Sequence, residues 1–307
     1  MVGGYKMIKI DLVTGFLGSG KTTFIKQYAK YLLKQGLKIC ILENDYGVIN
    51  VDMMLLGDLL SDKCNLEMVI GGDKDCRIRR FKTKLIAMGM DKYDRVIIEP
   101  SGVFDVDEFY DTLYEEPLCN WYEIGNVFSI VDATLNLEND DIKYVVASEV
   151  ATSGRVIISK FTANTDLNDI KTKLDNALEF IGCNRKIDEI IFAKDLTKLD
   201  DNDFKVLIHS LYNDASFVKR RIDDFTSLFF MNKNIDENKI RNISNVLFND
   251  DTYGNVIRIK GFYLYENSWY EVNACKNEIT ISKISNGQDV IIVIGINFNE
   301  EKINLLF

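Results

Sequence analysis

From Lys6 to about Lys194, short apolar and β-branched runs alternate with stretches long enough to form amphipathic helices. The runs are residues 7–13 (MIKIDLV), 38–43 (KICILE), 67–70 (EMVI), 95–99 (RVIIE), 127–131 (VFSIV), 155–159 (RVIIS) and 189–193 (EIIFA). Several are apolar throughout, as strands buried on both faces are. Between the first two, Phe24, Tyr28 and Leu32 fall on one helical face and Gly36 supplies a C-cap. Strand, helix and strand at this spacing predict right-handed crossovers and an α/β fold with a mainly parallel sheet flanked by helices. Beyond Lys194 the pattern changes. Residues 197–250 are rich in Asp, Asn and Lys, and amphipathic pieces at 203–212 and 237–248 predict a helical bridge. From about Asn255 four closely spaced runs, NVIRIKGFYLY, SWYEV, EITISKI and DVIIVIGI, are separated by turn residues at 266–268 and 286–287. They predict a small, largely antiparallel α+β domain. The expected division is 1–200, 201–250 and 251–307.

Composition narrows the function. A chain of 307 residues with 47% hydrophobic and 27% charged positions is an ordinary globular chain of two-domain size. Its 37 basic against 47 acidic residues, net charge −10, argue against a general nucleic-acid binder or a binder of anionic membranes. The N-terminus reads as a strand entering a loop instead of a signal peptide, and no run of about 18 apolar residues occurs, so a cytoplasmic chain is expected. Six cysteines without a CxxC pair suit reduced thiols. A single histidine, His209, lies in an apolar stretch and is expected to be structural. Trp269 and the tyrosines around it are read as core of the small domain.

The strongest chemical signal is Gly15-Phe16-Leu17-Gly18-Ser19-Gly20-Lys21-Thr22, a GxxxxGK[ST] match set between an apolar strand and an amphipathic helix. Glycines let successive backbone N–H groups turn inward onto phosphate oxygens, and the helix N-terminus adds partial positive charge. Gly15, Gly18, Ser19, Gly20, Lys21, Thr22 and Thr23 are therefore the expected nucleotide-binding residues. Lys21 would bridge β- and γ-phosphates, and the Thr22 hydroxyl would hold Mg²⁺. Glu99 ends a buried strand at the sheet edge where α/β ligands bind, kept extended by Pro100. It can accept from a Mg²⁺-bound water, and the Gly102 N–H can contact the γ-phosphate. Glu43 and Asp52 are further Mg²⁺ candidates; a solvated acidic loop is the alternative reading of both.

Onward from this loop the sequence resembles the CobW-like branch of the G3E P-loop GTPases, whose members serve as metallochaperones and cofactor-insertion factors. Glu43-Asn44-Asp45-Tyr46-Gly47 with Asp52 resembles the branch's first switch, Glu99-Pro100-Ser101-Gly102 its Glu-x-x-Gly element, and Val131-Asp132-Ala133 a strand end. Lys260-Gly261-Phe262, Trp269 and Ile294-Gly295 resemble the spacing of its small C-terminal domain. The resemblance implies a Mg²⁺-dependent GTPase acting as an accessory factor for a client metalloenzyme or corrinoid protein. No arginine finger is evident, which implies slow turnover.

Three departures stand beside these matches. The branch's Gly-Cys-x-Cys-Cys falls on Gly72-Asp73-Lys74-Asp75-Cys76, leaving Asp73, Asp75 and Cys76 as a harder donor set for a second metal. A structural reading competes, with Asp75 as N-cap of a helix burying Phe81, Leu85 and Met88 and with Arg77, Arg79 and Arg80 satisfying the acids. The base-reading Asn-Lys-x-Asp falls on Ser159-Lys160-Phe161-Thr162, so one hydroxyl at Thr162 stands where a bidentate guanine acceptor is implied. Lys160 can still lie along the base, and ATP stays open beside GTP. Val48 replaces an acidic residue after the switch glycine. Two other classes remain: a P-loop kinase of a small metabolite, with the RIRRFK stretch as its lid candidate, and a nucleotide-binding interaction module with little catalysis.

Overall fold

The structure is a computed structural model describing residues 6–45, 51–70, 74–100, 106–188, 190–219, 225–276 and 278–307, with the side chains of 45, 51–53, 70, 74–77, 107 and 108 outside that description. The chain divides into two compact units, Met1–Val48 with Leu55–Arg221, and Ile49–Met54 with Ile222–Phe307.

In chain order the first unit carries β1 (Ile8–Thr14), α1 (Lys21–Lys34), β2 (Ile39–Asp45), the last two residues of the short α2 (Val51–Leu56), whose residues to Met54 belong to the second unit, then β3 (Cys64–Ile70), α3 (Lys74–Gly89) and β4 (Arg95–Pro100). There follow α4 (Val106–Tyr114), β5 (Tyr122–Asp132), α5 (Asp140–Thr152), β6 (Arg155–Ser159), α6 (Leu167–Phe180), β7 (Ile191–Ala193) and α7 (Asp201–Leu207). The seven strands form one sheet in the order β3-β2-β4-β1-β5-β6-β7, every pairing parallel. All seven apolar runs of the sequence became its strands, and the doubly wound order puts their carboxyl ends along one edge. Each face has its own core. On one, Phe24, Tyr28 and Leu32 of α1 pack with Phe204 and Leu207 of α7 on Val13, Ile97 and Phe128. On the other, Phe81, Leu85 and Met88 of α3 and Phe109 and Leu113 of α4 pack on Leu12, Val96 and Ile98. The helical faces read from the sequence are the buried ones because a 3.6-residue period leaves only one stripe for the sheet.

Between α1 and the sheet lies a polar knot that the apolar pattern did not announce. Arg95 Nη1 donates to both oxygens of Asp11, each at 2.6 Å, the Tyr28 hydroxyl donates to Asp11 at 2.8 Å, and the Asn126 N–H does so at 2.7 Å. Asp11 is fully buried, and a Cβ on Gly125 would stand 2.4 Å from its Oδ1, so glycine is required there. A buried ion pair held this fully ties β1 to β4, β5 and α1 at the sheet centre.

The second unit carries β8 (Thr226–Met231), α8 (Glu237–Asn249), β9 (Asn255–Tyr265), β10 (Ser268–Cys275), β11 (Glu278–Ile284), β12 (Val290–Ile296) and α9 (Glu300–Asn304). Its strands form an antiparallel sheet in the order β11-β10-β9-β12-β8. Glu266 and Asn267, at φ 46° and 58°, make the two-residue hairpin expected there. α8 buries Ile240, Ile243 and Leu247 in that unit's core with Ile259, Val272, Ile291 and Val293. Trp269 is only half-buried, its ring lying where a Cβ on Gly287 would fall, 2.6 Å from Cε3.

The segment read as a helical bridge, 201–250, does not form a third body. α7 packs on α1, while Thr226–Met231 is a strand on β12 and α8 covers the antiparallel sheet. The helix expected over 203–212 also ends at Leu207, because the chain beyond it is drawn into bonding with β5: Leu211 O accepts from Val127 N at 2.8 Å, and Leu211 N donates to the Asn126 side-chain Oδ1 at 2.9 Å. His209 is consequently exposed in the turn after α7 and is not part of an apolar helix face. α3 is already helical at Lys74, so Asp75 lies inside the helix and is not its N-cap.

Candidate functional site

β1 delivers the chain to residue 15 at the carboxyl edge, and residues 15–20 turn it into α1. Gly15 has φ 148° and Gly20 φ 96°, values that side-chain-bearing residues rarely take. A Cβ on Gly15 would stand 2.4 Å from the Ile130 carbonyl oxygen and 2.5 Å from Ser19 Oγ; on Gly20 it would meet Leu196 Cδ1 at 3.2 Å. Gly20 is the helix N-cap, no side chain caps the helix, and its first turn holds no acid. The first N–H groups of α1 and the positive end of its dipole are thus left to an anion. Ser19 is buried, and its hydroxyl has no hydrogen-bond partner among the described residues. Gly18, at φ 76°, turns the loop between them, and Thr23 is exposed on the first helical turn.

Lys21 is buried and folds back so that its ammonium donates to the Gly15 carbonyl at 2.9 Å. The Thr22 hydroxyl donates to Glu99, 3.0 Å from Oε1 and 3.2 Å from Oε2. Glu43 on β2 is the register partner of Glu99 on β4, and the two are 1% and 4% exposed. Two buried carboxyls side by side, with a threonine hydroxyl on one of them, are a hard oxygen-donor set of the kind magnesium takes. Gly102, Asp73 and the side chains of Asp52, Asp75 and Cys76 lie outside the described residues. Among the described residues no three His, Cys, Asp or Glu side chains gather as a metal site.

The end of β6 is arranged differently. Ser159 is buried, its hydroxyl donates to the Val131 carbonyl at 3.3 Å, and its Cβ lies 3.8 Å from where a Gly20 Cβ would be. Lys160 takes φ 51° and pairs with Asp132 at 2.8 Å. Thr162 is exposed and occupied in its own turn: its N–H donates to Thr165 Oγ1 at 2.9 Å and the two hydroxyls are 3.2 Å apart. Ser159 and Lys160 therefore stand beside the phosphate-binding loop, whereas the Thr162 hydroxyl is spent locally. The sequence reading missed Glu149 of α5, which is 1% exposed and is acted on by Lys21 and Gly15 of the loop. The available signal was an acid inside VVASEVAT, a stretch buried all round from Val145 to Thr152.

A parallel doubly wound sheet whose first strand enters a glycine turn, an uncapped helix and a returning lysine defines a P-loop nucleotide-binding domain. The family model "CobW/HypB/UreG, nucleotide-binding domain" matches residues 9–187, and the chain belongs to that family. It is 30% identical over 161 residues to the zinc chaperone YjiA of Escherichia coli K12, covering 50% of this chain and 49% of that protein. To the zinc chaperone YeiR of the same organism it is 30% identical over 135 residues, covering 43% and 40%. The crystal structure of Zn(II)-bound YjiA GTPase from E. coli aligns over 98% of both chains at 19% identity and TM-score 0.40. The matched segment spans about half the length, or less, of these curated relatives. No helix among the described residues is long and apolar enough to cross a membrane.

Proposed function

We propose that the chain binds a magnesium nucleoside triphosphate, hydrolyses it slowly, and uses that cycle as an accessory factor in metal handling for a client metalloprotein. The observation that carries the reading is the hydrogen bond from Thr22 to Glu99, which joins the phosphate-binding loop to the end of β4. In this reading Lys21 leaves the Gly15 carbonyl for the β- and γ-phosphates, and the α1 N–H groups hold the remaining oxygens. Thr22, Glu99, Glu43 and Asp52 are the oxygen donors for magnesium, and Gly102 contacts the γ-phosphate. A bound magnesium ion supplies charge neutralisation across the phosphates. The loop 43–52 and Gly102 change conformation when the γ-phosphate leaves.

GTP is the expected nucleotide from family membership, and the engagement of Thr162 within its own turn supports weak discrimination against ATP. The names of the curated relatives, zinc chaperones, support a metal-handling role. Asp73, Asp75 and Cys76 are the candidate ligands, with Cys76 the one soft donor; a corrinoid-dependent client is the narrower form of the proposal. We take the site of action to be cytoplasmic. The test is phosphate release from GTP and ATP under single-turnover conditions, with zinc titrated in parallel. Slow release in wild type, lost in Lys21→Ala, together with zinc binding lost in Cys76→Ser, is the expected result. A phosphorylated small molecule in place of free phosphate would replace the reading with a kinase, and tight binding without turnover would reduce it to a binding module.

A further inference from the structure

Neither carboxyl oxygen of Glu149 accepts a hydrogen bond from any described residue, although the side chain is only 1% exposed. Its location follows from the register. Gly15 packs on the carbonyl of Ile130, and Ile130 pairs with Ile157, two residues along β6 from Arg155. Two strand residues climb about 6.6 Å. Four residues of α5 back from Ser153 climb about 6 Å, which brings Glu149 level with Gly15. The Lys21 charge and, after it, the Gly15 N–H act on the carboxyl from the loop, both favouring its ionised form.

Among the described residues, the other elements packed around it bring no second charge onto the carboxyl. α6 turns Ile170, Leu174, Ala177 and Leu178 inward. The Thr152 side chain acts on Tyr110 of α4, Lys143 of α5 itself pairs with Asp140, and Arg185 donates to the Val150 and Ala151 carbonyls at the helix end. β5 presents Ile130. Burial dominates and pushes the Glu149 carboxyl up to about 8, with Lys21 and then Gly15 opposing.

We propose that Glu149 is a positioning residue of the phosphate-binding loop that acts in its neutral form, and that its ionisation sets an upper pH limit on nucleotide binding. Neutral, it leaves the ammonium of Lys21 and the loop amides to the phosphates. Ionised, it places a negative charge beneath them, attracting Lys21 and repelling the ligand. The inference rests on the nucleotide-binding reading above.

The test is calorimetric titration of Mg·GTP into the full-length wild type and Glu149→Gln from pH 7 to 9.5, in two buffers of different ionisation enthalpy. Wild-type affinity is expected to fall about tenfold between pH 7.5 and 9.5, with net proton uptake on binding above pH 8. Glu149→Gln, which keeps the shape without the charge, should show neither. Parallel pH profiles in the two proteins, or no proton uptake by the wild type, would overturn the proposal. The proton-uptake measurement needs only the wild type and so stands even where the variant does not fold. Absence of binding at pH 7 would instead overturn the nucleotide reading, and this inference with it.

Discussion

The two ends of the proposed nucleotide cradle differ in how their polar groups are used. At the phosphate end, Lys21 is held by one backbone carbonyl, Ser19 Oγ has no described partner and the α1 N-terminus is uncapped. At the base end, Ser159, Lys160 and Thr162 are all engaged with neighbours: Val131, Asp132 and Thr165. Groups that await a ligand are kept unsatisfied by a rigid frame, here the glycine turn over Ile130. Groups satisfied by the protein itself have less to offer one. In the proposed reading, the fold specifies phosphate binding more firmly than it specifies a base.

The sharpest way to break the phosphate end is Gly15→Ala. Its Cβ would meet a backbone carbonyl at 2.4 Å, which no rotamer relieves. We expect a loss of about 2–4 kcal/mol in denaturant unfolding and no measurable nucleotide binding. Glu149→Gln tests the underside of the same loop through stability without nucleotide. A carboxyl raised to about 8 binds its proton more tightly folded than unfolded, so it costs stability as pH rises from the unfolded value toward 8. Wild type should therefore weaken relative to the variant by about 1.4 kcal/mol per pH unit between roughly pH 5 and 8; urea midpoints that stay parallel would contradict this. At the base end, Thr162→Asp restores a bidentate acceptor and should raise the GTP-to-ATP affinity ratio about tenfold. Thr162→Ala, removing a hydroxyl already used within its turn, should change either affinity less than about twofold.

Much of this arrangement was legible in the residue pattern. The seven apolar runs became the seven strands because parallel strands buried on both faces read as continuous β-branched segments. The loop was legible because phosphate binding by backbone N–H groups demands glycine at set positions. What escaped depends on partners distant in sequence. Asp11 in β1 is accounted for by Arg95, Tyr28 and Asn126, which only the fold places around it. The burial of Glu149 comes from α4 and α6 closing over a helix with little amphipathic bias of its own. The strand at Thr226–Met231 was hidden in a polar stretch and owes its state to β12, which supplies the whole ladder. The early end of α7 likewise reflects bonds to β5 that no local propensity encodes.

The central claim is that the turn from Gly15 to Thr22 binds nucleotide phosphates while the β6 end contributes little base selection. Calorimetry of Mg·GTP and Mg·ATP on wild type and Lys21→Ala tests both halves at once. Both nucleotides should bind the wild type with affinities within about tenfold of each other, and Lys21→Ala should weaken both by about a hundredfold or more, roughly 2.7 kcal/mol. Equal affinities in wild type and Lys21→Ala would contradict the phosphate half, and a GTP preference above about a hundredfold would contradict the base half.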